Sequence, residues 1–148
     1  MRLVVQRVKK AKVSVKSKIV GKISNGLFIL LGVKNGDTVS DAIYLAEKLA
    51  KLRVMADDSG KVNLSVSEVG GSVLVVSQFT LYADTSSGNR PSFVKAAKPG
   101  VAERLYRVFI DKLKVLGIKV QTGNFGEYME IDSILDGPVT ILIESRKK

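Results

Sequence analysis

The chain has 148 residues, 45% of them hydrophobic and 26% charged, which suits one folded domain with a sizeable core and excludes a disordered chain. It has no cysteine and no histidine, which excludes disulfides, thiol nucleophiles, Ser-His-Asp or Cys-His machinery and histidine-rich zinc sites. With 24 Lys and Arg against 14 Asp and Glu, the net charge is +10, read either as a match for a polyanion such as nucleic acid or as a lysine-rich, heat-adapted surface.

The N-terminal third reads as short strands. Met1 to Val8 alternates weakly, Lys12 to Lys16 alternates cleanly, and Ile19 to Ile23 follows. Asn25-Gly26 marks a tight turn into the apolar strand Leu27 to Val33. The period then changes: Ser40 is the expected cap of a helix carrying Ile43, Ala46, Leu49 and Leu52 on one face, with Lys48 and Lys51 toward water. A short strand, Arg53 to Ala56, precedes the turn Asp57-Asp58-Ser59-Gly60. Ser72 to Val76 is a strand covered on both faces. A loop from Thr85 to Lys98 leads to Pro99-Gly100 and a second helix, with Val101, Leu105, Val108, Phe109 and Leu113 as its stripe and Gly117 as its stop. Strands return at Ile118 to Gln121 and Tyr128 to Ile134, and again from Val139 to Ser145 after the break at Asp136-Gly137-Pro138. The expected architecture is α/β: one domain, residues 1–148, of layered, barrel-like sheets with two main helices covering one face.

No apolar run approaches the roughly 18 residues of a membrane span, and MRLVVQRV is too short for a secretion signal. A cytoplasmic protein without a membrane partner is expected, and the formal acceptor Asn63-Leu64-Ser65 is read as chance.

Three places depart from what folding alone requires. Ser77, Gln78 and Thr80 gather around Phe79 where a core strand ends, and burying such groups unpaired costs on the order of 1–3 kcal/mol each. They pair across strands, or they meet a ligand. In Gly88-Asn89-Arg90-Pro91-Ser92-Phe93, Arg90 offers a fork for phosphate and Phe93 a face for a base; a well-packed surface loop is the alternative. Gly137-Pro138 leaves bare main chain that a ligand can touch, or is simple punctuation before a strand.

Here the residues become recognisable. MRLVVQRV, the Gly26-Leu27 strand ending Leu-Leu-Gly-Val, Ser77-Gln78-Phe79-Thr80-Leu81 and Gly-Asn-Arg-Pro-Ser-Phe recur in order with Gln121-Thr122-Gly123, Phe125, Met129 and Gly137-Pro138-Val139-Thr140. Together they closely resemble the D-aminoacyl-tRNA deacylase family, from the first residue to about Glu144. Two positions depart: Leu135 stands where the family has an asparagine before Gly-Pro, and Val62 replaces a methionine at what is read as a packing position.

The resemblance implies hydrolysis of the ester joining a D-amino acid, or glycine, to the 3′-terminal ribose of tRNA. It implies a homodimer in which Gly137-Pro138 of one subunit, in cis form, enters the pocket of the other. Ser77, Gln78, Phe79 and Thr80 would form the rim and floor of the ester site, with backbone N–H groups and the Thr80 hydroxyl as oxyanion donors. Thr80 as a covalent nucleophile is the lesser alternative, because no histidine is present. Phe125 and Met129 match adenine-contacting positions. Arg7 would orient the Gly-Pro segment through a charge-assisted bond to a carbonyl. Arg90 and scattered lysines would meet tRNA phosphates. No cofactor, metal or DNA is expected. The rival reading is a non-catalytic RNA-binding module, against which the lack of an arginine-rich cluster speaks.

Overall fold

A computed structural model describes residues 1–145. Strand β1 (Arg2–Val15) turns at Lys16-Ser17 into β2 (Lys18–Ile23), and β3 (Gly26–Gly32) follows. Both β2 and β3 lie antiparallel along one edge of β1, with Ala11 opposite Ile23 and Arg2 opposite Gly32. Helix α1 (Val39–Ala50) leads to a separate small hairpin, β4 (Met55–Ala56) with β5 (Val62–Leu64). Strand β6 (Ser72–Ser77) returns parallel to β3. Helix α2 (Pro99–Val115) then connects to β7 (Lys119–Thr122), parallel to β6. Last comes β8 (Glu130–Glu144), which takes the other edge of β1 for almost its full length.

The sheet curls until β2 packs against β7, where Gly21 lies against the carbonyl of Thr122. Two cores follow from this shape. On one face, Leu3, Val5, Leu27, Ile29, Leu31, Val73 and Val75 pack against Leu45 and Leu49 of α1 and Leu105, Phe109 and Leu113 of α2. Inside the curl, Val8, Ala11, Val13, Phe28, Leu74 and Val76 form a second cluster. Alternation along β3 and β6 thus feeds both cores, which is why these strands read as unbroken apolar runs.

Several elements differ from their sequence expectation. Helix α1 is capped by Thr38, not Ser40, because the Asp41 carboxylate accepts from both the Thr38 N–H (2.8 Å) and its hydroxyl (2.7 Å). Its inward face is Ala42, Leu45, Ala46 and Leu49, one step removed from the stripe through Ile43 and Leu52. In α2, Val101 is exposed, and Ala102, Tyr106 and Ile110 join the buried face. The separate segments expected within β1, and within β8, are single long strands; register shifts near Val8 absorb the Asp136-Gly137-Pro138 irregularity without ending the pairing. Val62 is exposed on the small hairpin, so it is no packing position within the chain. Asp57 closes its turn by accepting from the N–H groups of Ser59 (3.0 Å) and Lys61 (2.9 Å).

Candidate active site

The carboxyl ends of the three parallel strands open onto one cavity of about 790 Å³. Its lining begins with Val33 beyond β3, Ser77 and Gln78 at the end of β6, and Phe125 just past β7, and the first turn of α2 adds Pro99 and Ala102. Open sheets bind ligands at such strand ends, and a helix N-terminus there favours negative charge. A second cleft, about 730 Å³, lies beside Arg2 and Lys95. Those cations are already paired with Glu144 and Asp84, and the Asp37 carboxylate there holds the N-terminal ammonium (2.7 Å).

At the end of β6 the chain does not continue extended. The Gln78 N–H donates to the Leu31 carbonyl (2.8 Å), and the chain then winds into a 3-10 turn, Phe79–Tyr82. The first bond of this turn is Leu81 N–H to the Gln78 carbonyl, followed by Ala83 N–H to Thr80 (3.0 Å). The N–H groups of Phe79 and Thr80 precede that bond and so have no acceptor within the turn. Gln78 Nε2 donates to Thr80 Oγ1, and Ser77 and Gln78 are half-buried while Phe79 and Thr80 are exposed. The strand ends at Ser77, one residue past the expected Val76, and the segment after it is a turn that presents backbone donors.

Opposite elements complete the walls. The Phe93 ring meets Phe79 edge-on, centroids 5.0 Å apart at 71°. Its loop is tied down: Asp84 and Ser92 exchange two backbone bonds of 2.8 Å, and Lys95 Nζ lies 2.6 Å from the Asp84 carboxylate. The Lys95 ammonium and the Ser86 hydroxyl hold the Asp84 carboxyl far below the usual aspartate range. Phe125 packs against Tyr106 at 5.7 Å, whose hydroxyl donates to the Val75 carbonyl (2.9 Å); burial pushes that phenol up. Met129 is half-buried, with its sulfur over Gly123.

The structure therefore brings Ser77, Gln78, Phe79, Thr80, Phe93, Phe125 and Met129 into one cavity. Arg90 is exposed in the loop and outside that lining. Gly137 and Pro138 are joined by a cis bond, exposed, and likewise outside it. Buried Arg7 stands behind them: its Nε donates to the Asp136 carbonyl (3.2 Å) and faces the Asp136 carboxylate (3.1 Å), while Nη1 donates to Val54 (3.0 Å). Sequence reasoning missed Ala96, Ala97, Pro99, Ala102, Glu127, Tyr128 and Ile131. Only Ala102 carried a signal, lying at helical spacing from Leu105 and Phe109.

A model of the D-Tyr-tRNA(Tyr) deacylase family matches residues 4–144. The chain belongs to that family. The D-aminoacyl-tRNA deacylase of Geobacillus sp. (strain WCH70) is 53% identical over 148 residues, 100% of this chain and 97% of that protein. Its counterpart in Desulfatibacillum aliphaticivorans is 54% identical over 146 residues, 99% and 100% of the two chains. Among solved structures, a c-Myc DNA Unwinding Element Binding Protein superposes with a TM-score of 0.93 at 37% identity, covering 99% of this chain and 100% of that one. Among the described residues, no helix is long and apolar enough to cross a membrane.

Proposed function

We propose that the chain, acting as one unit over residues 1–148, hydrolyses the ester of D-aminoacyl-tRNA, and of glycine on tRNA, in the cytoplasm. The observation that carries this reading is the pair of N–H groups at Phe79 and Thr80, which have no acceptor within their turn and no backbone acceptor elsewhere among the described residues, set at the mouth of a cavity whose other wall is Phe125 and Met129. The wall takes the terminal adenine by stacking. The ester carbonyl then lies at the turn, where water adds to its carbon and the two N–H groups receive the negative oxygen. One such donor contributes roughly 2.7–4 kcal/mol in other enzymes. The carbon–oxygen bond to the ribose breaks, and the ribose oxygen takes up a proton.

Thr80 Oγ1 accepts from the amide of Gln78, and an amide donor takes no proton. Thr80 thus lacks an activating base there, which favours positioning and backbone stabilisation over a covalent intermediate. The neighbouring 2′-hydroxyl of the substrate relays the proton.

Rejection of L-amino acids falls to the carbonyls of Gly137 and Pro138 from a second copy, which grip the substrate ammonium and leave no room for an L side chain. Two features support donation across a dimer. The segment is exposed and held by Arg7 outside its own cavity. Among the described residues strand β8 also pairs only with β1, and it exposes Ile131, Ile134, Leu135 and Leu142, between 41% and 58% each, an apolar edge that a partner would cover. Leu135 in place of asparagine fits such a surface. Arg90 and scattered lysines meet tRNA phosphates.

The deciding experiment charges one tRNA with D- or L-tyrosine and follows release. Rapid release of the D form with the L form spared is expected. Equal rates would refute the chirality mechanism, and salt-sensitive binding without cleavage would establish the RNA-binding module instead.

A further inference from the structure

Tyr128 is 87% exposed, more than any other large hydrophobic side chain among the described residues. It lines the cavity mouth, yet no aromatic or hydrogen-bonding partner within the described residues covers it. Tyr128 and Met129 are consecutive in the non-helical approach to β8, which starts at Glu130. Extended neighbours point to opposite sides. Met129 turns inward over Gly123 and the second core, and Tyr128 turns out to solvent at the lip of the same wall.

We propose that Tyr128 is a substrate-binding residue whose ring stacks on the base of the nucleotide preceding the terminal adenosine. This rests on the deacylase reading and extends it by one nucleotide. A base held against Phe125 and Met129 leaves its chain to exit over the lip, where Tyr128 stands. The local charge selects the kind of contact. From Gly123 to Ile131 there is no lysine or arginine, and Glu127 and Glu130 are both exposed there. Two carboxylates repel phosphate but leave a neutral base free to lie on the ring. Stacking needs only a π-face, which every base offers.

The test compares kcat/KM on a full D-aminoacyl-tRNA with that on the matching D-aminoacyl-adenosine, which lacks the preceding nucleotide. Tyr128→Ala is expected to lower the tRNA-to-adenosine ratio roughly 5- to 150-fold, through KM. Tyr128→Phe should restore the ratio, and the salt dependence of tRNA binding should keep its slope, since no phosphate contact is lost. An unchanged ratio would overturn the proposal, and equal loss on both esters with dissociation of a dimer in sedimentation would overturn it and assign Tyr128 to the subunit interface. Failure of the wild type on both esters would sink the deacylase reading itself.

Discussion

Replacing Gly123 by alanine tests whether Met129 is a working surface of the cavity or merely core. Gly123 is buried, and its N–H donates to the Val75 carbonyl (3.1 Å). A Cβ at this position would lie 2.5 Å from Met129 Sδ, but 3.4 Å from Val76 and 3.5 Å from Val13. The two valine contacts are ordinary, so the sulfur alone must move. Reaching normal contact of about 3.5–4 Å requires a retreat of roughly 1–1.5 Å. Met129 packs against the second core and lines the cavity, so the cavity is the open space into which it can move. A thioether bends cheaply, so the stability loss should be at the low end for overpacking, about 1 kcal/mol. Catalysis is less forgiving, because a misplacement of about 1 Å can lower the rate up to roughly 100-fold. The assay is kcat/KM on D-aminoacyl-tRNA beside the urea midpoint. A loss of roughly 10- to 100-fold with a small midpoint shift is expected, and adding Met129→Ala should recover part of it through coupling of the two sites. Full activity joined to a large stability loss would show that Met129 serves only packing.

Arg7→Lys keeps the charge but removes the fork that spans Val54 and Asp136. Each acceptor left unpaired weakens the fold by about 1–3 kcal/mol, and the D-to-L ratio of hydrolysis should fall more than the D rate; an unchanged ratio would show that Arg7 does not orient the Gly137 segment. Thr80→Ala should retain measurable turnover, reduced less than roughly 100-fold if backbone donors dominate. Complete loss, with an acyl-enzyme trapped in the wild type, would make Thr80 the nucleophile. The Asp84 carboxyl is held low by Lys95 and Ser86, so its folded value lies below the unfolded one of about 3.9. Its contribution to loop order is thus fully present above the unfolded value and is lost as pH falls through the folded one. An NMR titration of that carboxyl should show a midpoint below the ordinary aspartate range, and a midpoint at or above about 4 would refute the Lys95 clamp.

The sequence by itself determined the α/β character, the unbroken apolar runs of β3 and β6, the Leu105-Phe109-Leu113 face of α2, and the family through its motifs. These are properties of local periodicity and of side chains that carry their chemistry with them. Strand length was not local: Asp136-Gly137-Pro138 reads as a stop, yet pairing with β1 on either side carries β8 through it. The 3-10 turn at Phe79–Tyr82 was equally hidden, because the Gln78 N–H closes the ladder on Leu31, far away in sequence, before the chain can extend. Only the tertiary structure decided which residues share the cavity. Two parallel crossovers, through α1 and α2, bring the carboxyl ends of β3, β6 and β7 together, and with them Val33, Ser77, Ala102 and Phe125. The same topology leaves Gly137-Pro138 outside that cavity, because they lie midway along β8, opposite Arg7, whereas the strand reaches the cavity at its start, Ile131.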